Sequence, residues 1–358
     1  MRLVEYTPSR WLPAQQFPRS VGARTLKHSH RPATLKSVAR AAGVSYQTVS
    51  RAVNGDSGIN AETRRRVLQF AQELGYRTNR LAISLRSAQS RAIGLVISDL
   101  QNLFYAEVAA GVEAQATDAG YSVILANTGE DIHRERTVVL GLFERRVDGL
   151  IIAPAGGDHS YLETELPITF PIVAINRTLP LPRYGAVLSE NEIGAQTAVE
   201  HLIAQGHRKI GAIVASTELI TSRERLVGHR AAMRGAQLPI KPEWVATGPI
   251  CPQGAREAAT AILKLADRPT AILTASPRIA QGVLLALRDL NLSYNRDLEL
   301  VSFDDFPWAA FLEPPMNVVA QAPCDMGREA VIMLVRMISG EGNASIVRMP
   351  TRLINHRE

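Results

Sequence analysis

Residues 43–55, GVSYQTVSRAVNG, combine a helical spacing of apolar side chains with a face of hydrogen-bonding side chains. Val49, Ala52 and Val53 fall at positions i, i+3 and i+4, which places them on one side of a helix. The opposite side carries side chains that can form hydrogen bonds: Tyr46, Gln47, Ser50, Arg51 and Asn54. Such a face suits recognition of another polar surface, although a plain solvated helix has the same pattern.

Two further predicted helices flank this segment. Residues 34–42 begin with the N-cap residue Thr34 and continue with apolar residues at helical spacing, and Gly43 ends the helix. Ser45 is placed to cap the second helix, and residues 60–75 repeat the arrangement. Three short helices with small inward faces predict a helix-turn-helix unit, whose second helix presents its N-terminal residues to the major groove of DNA.

The charge distribution divides the chain into a basic N-terminal part and a mildly acidic remainder. Residues 1–90 carry 15 Lys and Arg against 4 Asp and Glu, a net charge of +11, and the remaining 268 residues carry −5. Cationic side chains gain free energy at a phosphate backbone because they release condensed counterions. The basic part therefore favours a nucleic-acid partner.

The segments TLKSVARAAGVSYQTVSRAVNG and TRRRVLQFAQELGYRTNRLAISLR resemble the DNA-binding headpiece of the LacI/GalR family of bacterial transcription regulators. The resemblance continues through VDGLIIAP, AVEHLIAQGHRKIGAI, SRERLVGHRAAM and SFDDF. It implies a helix-turn-helix headpiece at 34–78, a hinge helix or linker at 79–91, and an effector-binding and dimerisation core at 92–358.

The resemblance assigns DNA contacts to the polar face of the second helix. It implies that Tyr46, Gln47 and Arg51 contact base edges, and their chemistry fits, since arginine can bond bidentately to guanine and glutamine to adenine. Phosphate contacts are expected from the hydroxyl groups of Thr34, Ser45 and Ser50. The amide of Asn54 is also predicted to contact DNA.

The segment 79–91 has a single apolar edge and is too short to form a stable helix alone, since isolated helices below about 12 residues are marginal in water. In the family this segment pairs with its copy in a dimer and inserts a leucine into the minor groove. Leu85 matches that leucine, with Asn79 and Ala82 beside it. An apolar wedge of this kind kinks DNA. A plain linker is the alternative interpretation.

The remainder alternates amphipathic segments with the apolar runs IGLVIS, YSVILAN, GLIIA, IVAI, IGAIVAS, AILTA and LELVSF. This rhythm predicts buried strands joined by crossover helices. Because 267 residues exceed one comfortable core, two lobes are expected, at about 92–188 with 323–349 and about 189–322 with 350–358. The predicted fold is an all-α helix-turn-helix headpiece plus an α/β core of two doubly wound parallel sheets, which resembles periplasmic binding proteins.

Polar residues follow most of these runs: Ser98-Asp99, Asn127, Asn176-Arg177, Ser216, Ser276 and Asp304-Asp305. Ligands of open parallel sheets bind beyond the carboxyl ends of the strands. Hydroxyl, amide and carboxylate groups that converge there suit a polyhydroxylated ligand, and Phe104 and Tyr105 can supply an apolar floor. Each of these residues could instead be a helix cap or a turn residue.

The resemblance implies effector contacts for Asp304 in SFDDF and Arg225 in SRERLVG, and it places Asn176 where many relatives have aspartate. The chain departs from the family at TASPRIA, where Ser276-Pro277 stands in place of the usual Asn-Asp. Serine before proline starts a helix well, but a short hydroxyl replaces a long amide. These positions form the predicted effector site together with Ser98, Phe104 and Tyr105.

The sequence contains no G-x-G-x-x-G after the first strand, no P-loop, no H-E-x-x-H and no C-x-x-C, and neither Cys251 nor Cys324 is paired with a base in a recognised pattern. This predicts a protein that is not an enzyme and uses no cofactor or metal. No apolar run is long enough to span a membrane, and no secretory signal is recognisable. A cytoplasmic location without a membrane partner is therefore expected.

Residues 1–33 contain four prolines and five arginines but one acid, Glu5. They are interpreted as a basic disordered extension or as sequence added by a misassigned start codon, with a transit peptide as a third alternative. The chain carries no leucine heptad at its C-terminus, which favours a homodimer on a pseudo-palindromic double-stranded operator.

The predicted function is a sequence-specific transcription regulator, a repressor, whose operator affinity depends on a small-molecule effector, with a sugar or sugar derivative expected. One alternative keeps the DNA function with a purine, an amino acid or a sugar phosphate as effector. The other is a carbohydrate-binding module with a vestigial headpiece. Salt dependence distinguishes a working regulator from a module with a vestigial headpiece. A working regulator loses DNA affinity steeply as salt rises, whereas the module binds DNA little at any salt.

Overall fold

The computed structural model describes residues 33–53, 58–76, 89–181, 183–248 and 251–357. The chain divides into two compact units, Met1–Arg80 and Leu81–Glu358. Four residues of the predicted DNA-binding set lie outside the described residues, as does the extension up to residue 32: Asn54, Asn79, Ala82 and Leu85. The hinge-helix prediction therefore stays a prediction.

The described part of the first unit contains the helices α1 (Leu35–Ala42), α2 (Tyr46–Val53) and α3 (Ala61–Glu73). Thr34 begins α1 with a capping box, since its hydroxyl accepts from the Ser37 N–H and the Ser37 side chain accepts from the Thr34 N–H. Gly43 ends α1 at a φ of 66°, which glycine adopts without strain. One small core joins the helices through Val38, Ala39, Ala42, Val49, Ala52, Val67 and Ala71. The helix-turn-helix prediction is confirmed.

Lobe 1 of the second unit contains the strands β1 (Ala92–Ile97), β2 (Ser122–Asn127), β3 (Gly149–Ile152), β4 (Ile172–Ile175), β5 (Gly185–Ser189) and β11 (Ile346–Met349). Its helices are α4 (Leu103–Asp118), α5 (Ile132–Glu144), α6 (Tyr161–Thr164) and α11 (Pro323–Ser339). The strands pair in parallel in the order β11-β5-β4-β3-β1-β2. Leu95 packs in the core on one face of β1 and Val96 in the core on the other, so helices cover both faces of the sheet.

Lobe 2 contains β6 (Ile210–Val214), β7 (Val245–Thr247), β8 (Ala271–Thr274), β9 (Glu299–Phe303), β10 (Asn317–Ala320) and β12 (Arg352–Ile354). Its α-helices are α7 (Asn191–Ala204), α8 (Ile220–Gly235), α9 (Pro252–Leu263) and α10 (Pro277–Asp289), with 3₁₀ turns at Pro242–Trp244 and Pro307–Phe311. The sheet order is β12-β10-β9-β8-β6-β7. The prediction of two doubly wound α/β sheets is confirmed.

The edge strand β12 departs from the purely parallel prediction, because it runs antiparallel to β10. Only residues 350–351 separate β12 from β11, which belongs to the other lobe. The parallel strands of both sheets end at the space between the lobes. A chain that re-enters lobe 2 from that side without a crossover helix must run away from it, and an antiparallel edge results. Within the described residues, no helix is both long and apolar enough to cross a membrane.

Glycine residues allow the helices of each lobe to pack closely. A Cβ atom on Gly228 of α8 would lie 2.1 Å from the carbonyl oxygen of Glu192 in α7. A Cβ atom on Gly111 of α4 would lie 2.0 Å from the carbonyl oxygen of Cys324 in α11. Both neighbours are backbone atoms, so a larger residue would have to separate the helices.

We expect Gly228→Ala to lower the free energy of unfolding by about 1–3 kcal/mol, because overpacking forces α7 and α8 apart. Urea denaturation of the full chain, followed by far-ultraviolet circular dichroism, measures this change. Gly235→Ala is the matched control, since it lies in the same helix and its Cβ would meet no atom within 4 Å. Equal midpoints for the two variants would contradict the close-packing explanation.

Candidate functional site

A cleft separates the two lobes of the second unit at the carboxyl ends of the parallel strands. A cavity of about 410 Å³ occupies this cleft. Residues that follow β1, β4, β8 and β9 line the cavity, as expected for open parallel sheets. Within the described core, the chain passes between the lobes at residue 190, residues 321–322 and residues 350–351. We call these three connections the hinge.

Most of the predicted effector residues meet at this cavity: Phe104, Tyr105, Asn176, Arg225, Ser276 and Asp304 line it. Ser98 does not. Its exposed fraction is 0 %, and Asp99, the next residue, lines the cavity instead. Ser98 therefore does not line the cavity in this structure, and its contact with an effector stays a prediction.

Arg225 of α8 is buried and held by several partners. Its Nε donates to Asn191 Oδ1 at 2.9 Å, and its Nη1 donates to the carbonyl oxygen of Ala275 at 2.5 Å. The guanidinium carbon lies 3.8 Å from the ring centroid of Phe303, a cation–π geometry. Burial lowers the pKa of Arg225 to about 10, and the negative charge of Asp304 opposes that effect. The guanidinium is thus fixed in position before any ligand arrives.

Asn176 and Asp304 occupy matching positions in the two lobes. Each directly follows a buried strand, β4 or β9, and each has a left-handed backbone, with φ values of 64° and 68°. Asparagine and aspartate tolerate this conformation better than most residues. The N–H of Asn176 donates to the Val187 carbonyl at 2.8 Å, and that of Asp304 to the Val319 carbonyl at 2.9 Å. These sharp turns direct the two side chains to the cavity.

Two buried amide oxygens at the cavity have no hydrogen-bond partner among the described residues, Oδ1 of Asn176 and Oε1 of Gln321. The other ends of both amides are engaged, since Asn176 Nδ2 donates to the Tyr105 hydroxyl at 3.2 Å and Gln321 Nε2 donates to Asp304. A buried acceptor without a donor costs about 1–3 kcal/mol. Hydroxyl groups of a ligand would satisfy both oxygens.

The formal charges around the cavity balance. Arg177 donates to both carboxylate oxygens of Glu130, at 2.7 Å each, and Arg278 donates to Asp99 at 2.9 Å. Arg225 and Asp304 carry the remaining two formal charges. Burial raises the carboxyl pKa of Asp304, and the nearby charge of Arg225 opposes that effect. Three guanidinium groups therefore face three carboxyl groups.

Phe104 and Tyr105 supply apolar surface, as predicted. Their rings meet edge to face, with centroids 5.2 Å apart, and both residues are buried. Within the described residues, no group of three or more His, Cys, Asp or Glu side chains is arranged to hold a metal ion. The arrangement therefore suits reversible binding of a small hydroxylated molecule.

Several residues that line the cavity were not predicted from the sequence to contact an effector. Arg177 could have been predicted, because it is a polar residue close behind a predicted strand. Gln321 follows β10, whose four-residue run NVVA was not recognised as a strand. Glu130 and Arg278 gave no signal, because their roles come from pairing with residues distant in the sequence.

The polar face of α2 is outward in the first unit. Tyr46 is 40 % exposed, Gln47 and Arg51 are also exposed, and Ser50 is half-buried. Ser45 caps α2, because its hydroxyl oxygen accepts from the Thr48 N–H at 3.1 Å. Thr34 caps α1 in the same way. Both hydroxyls therefore lie at helix N-termini, where backbone N–H groups attract phosphate.

Two family models match the chain. Residues 34–79 match the model described as bacterial regulatory proteins, lacI family. Residues 199–357 match the periplasmic binding protein-like domain. The two matches thus cover the headpiece region and most of lobe 2.

Individual relatives match over most of the chain. The ribose operon repressor of Haemophilus influenzae is 32 % identical over 321 residues, which cover 89 % of this chain and 96 % of that protein. A solved structure from Burkholderia thailandensis, provisionally named a ribose operon repressor, is 57 % identical, with a TM-score of 0.72 and coverage of 74 % of this chain and 99 % of that one. The lac repressor dimer bound to operator and the anti-inducer ONPF has a TM-score of 0.81 at 29 % identity, covering 91 % of this chain and 98 % of that one.

Proposed function

This chain belongs to the lacI family of bacterial regulatory proteins, and we propose that a neutral monosaccharide, with ribose as the first candidate, controls its binding to operator DNA. The protein is a DNA-binding transcription regulator and not an enzyme. By the names of its relatives we assign it the role of a repressor that acts as a homodimer. A cytoplasmic location is proposed with it, because a regulator must reach its operator DNA.

The balanced charge of the cavity carries the effector proposal. Arg177 and Arg278 donate to carboxylates. Arg225 donates to neutral oxygens, with the charge of Asp304 nearby. An anionic ligand would therefore have to displace a carboxylate from its arginine or approach Asp304. A buried charge that loses its partner is costly. The site therefore disfavours a sugar phosphate, and it also disfavours the carboxylate of an amino acid. Neutral hydroxyl groups can instead donate to the free oxygens of Asn176 and Gln321.

The location of the cavity explains how such a ligand would act on DNA affinity. A ligand that contacts both lobes stabilises one arrangement of the lobes over others, and it shifts the population toward that arrangement. The effect on operator affinity must be matched by an equal effect of operator on ligand affinity. Contacts with DNA are proposed for Tyr46, Gln47 and Arg51 at base edges, with the other predicted headpiece residues at phosphates.

A thermal-shift panel tests the effector proposal with D-ribose, D-ribose 5-phosphate, cellobiose and hypoxanthine as probes. We expect D-ribose to raise the Tm, since a ligand that binds only the folded state stabilises it. D-Ribose 5-phosphate should give a smaller shift because its phosphate would compete with the carboxyl groups that already balance the cavity's arginines. A larger shift with the phosphate or with hypoxanthine, and none with ribose, would refute the proposal.

The variant Asn176→Gly tests whether ribose binds in this cavity. Glycine adopts the same left-handed backbone, so the substitution removes the side-chain amide without straining the turn. The variant should unfold cooperatively and lose most of the ribose-dependent shift. A full shift in this variant would show that ribose binds elsewhere.

We expect Arg51→Ala to weaken operator binding by about 1–3 kcal/mol and to relax base discrimination at one position of each half-site. An operator selected from a randomised pool, and variants of it, would be titrated by fluorescence anisotropy at fixed salt. Arg65→Ala is the control, since Arg65 is exposed on α3 and its loss should weaken all sequences alike. Unchanged discrimination in Arg51→Ala would contradict the base-contact assignment.

A further inference from the structure

Arg278 connects the two lobes across the cleft. It lies in α10 of lobe 2, and its Nη1 donates to Asp99 Oδ2 at 2.9 Å and to Gln101 Oε1 at 3.0 Å. Asp99 and Gln101 follow β1 in lobe 1. One guanidinium thus binds an acceptor pair that belongs to the opposite wall of the site.

This bridge lies at the entrance of the cavity. The side chains of Arg278 and Asp99 are 23 % and 26 % exposed, whereas Arg225 and Asp304 on the same cavity are 6 % and 7 % exposed. Solvent therefore reaches the bridge before it reaches the floor. A part of a ligand that extends from the floor past Arg278 and Asp99 would meet the bridge.

The bridge differs from the other pairs near the cleft. Arg177 and Glu130 both belong to lobe 1, so their pair does not depend on how the lobes are arranged. Arg348 of β11 binds Glu224 of α8 at 2.7 Å across the lobes, but Arg348 lies beside the hinge connection at 350–351. Groups next to a hinge separate little when lobes open, whereas groups at the far rim separate most.

Local structure holds Arg278 in this position. Ser276 caps α10 through a hydrogen bond from the Ile279 N–H, and Pro277 occupies the first helical position. The Ser-Pro pair therefore starts the helix at the cleft edge and places Arg278 in its first turn. The Nε of Arg278 is buried and has no partner among the described residues, so both observed bonds to lobe 1 come from its Nη1.

We propose that Arg278 is a specificity-determining residue that closes the cleft over a monosaccharide and excludes sugars extended by a substituent at the entrance. The proposal rests on the proposed function, because it takes the cavity to be a sugar site. A glycoside or nucleoside would have to displace the bridge to Asp99 and Gln101 and would lose its contribution to closure. A free monosaccharide fits beneath the bridge.

Isothermal titration of Arg278→Ala with D-ribose, methyl β-D-ribofuranoside and adenosine tests the proposal. Ribose affinity should fall by about 3-fold to 10-fold, as expected for a partly exposed charged hydrogen bond. The preference for ribose over the two ribosides should shrink. Asp99→Asn should act in the same direction, and the double variant should lose less than the sum of the single losses. An unchanged preference in Arg278→Ala would overturn the proposal.

Arg256→Ala is the matched control. Arg256 pairs with Asp289 between α9 and α10, so the pair has similar exposure but remains within lobe 2. This variant should keep the ribose affinity and the riboside preference of the unmodified chain. Equal effects in Arg256→Ala and Arg278→Ala would overturn the proposal, since they would reflect general loss of an ion pair.

Hydrogen exchange without added sugar separates this proposal from the effector assignment. Backbone amides around residues 99–105 and 276–280 should exchange faster in Arg278→Ala than in Arg256→Ala, because the lobes open more often. Unchanged exchange would overturn the role of the bridge for any ligand. Failure of the unmodified chain to bind ribose would instead overturn the effector proposal while exchange still reported on the bridge.

Discussion

The buried guanidinium of Arg225 is the constraint around which the cleft is organised. A cation removed from water needs compensation, and here it comes from an amide oxygen, a carbonyl oxygen, the face of an aromatic ring and the charge of Asp304. These partners come from α7, from the residue that follows β8, from β9 and from the loop behind β9. The charge therefore fixes the relative positions of several elements and leaves the site polar and formally neutral.

The two lobes direct polar side chains into the cleft in similar ways. Each has a parallel sheet whose strands end at the cleft, and each directs one polar residue inward through a left-handed turn, Asn176 in lobe 1 and Asp304 in lobe 2. The hinge joins the lobes through connections of one or two residues. Short connections allow the lobes to rotate while they keep the strand ends facing each other. A molecule held by both turns thus acts on the lobe arrangement directly.

Local signals in the sequence were sufficient for much of this architecture. The spacing of Val49 and Ala52 placed the polar face of α2 outward, and polar residues behind apolar runs located part of the cavity lining. The failures have a common cause, because they depend on contacts between distant residues. The strand β12 could not be given its orientation without the path of the hinge. The bridging role of Arg278 could not be predicted, because it depends on Asp99, which is distant in the sequence and lies opposite it in the fold.

The central claim is that a sugar held between the lobes and operator DNA held by the headpiece are coupled. The most direct measurement compares operator affinity with and without saturating D-ribose, and ribose affinity with and without saturating operator, in the same buffer. We expect both affinities to change by one common factor, of about 5-fold to 150-fold. Ribose binding that leaves operator affinity unchanged would contradict this claim.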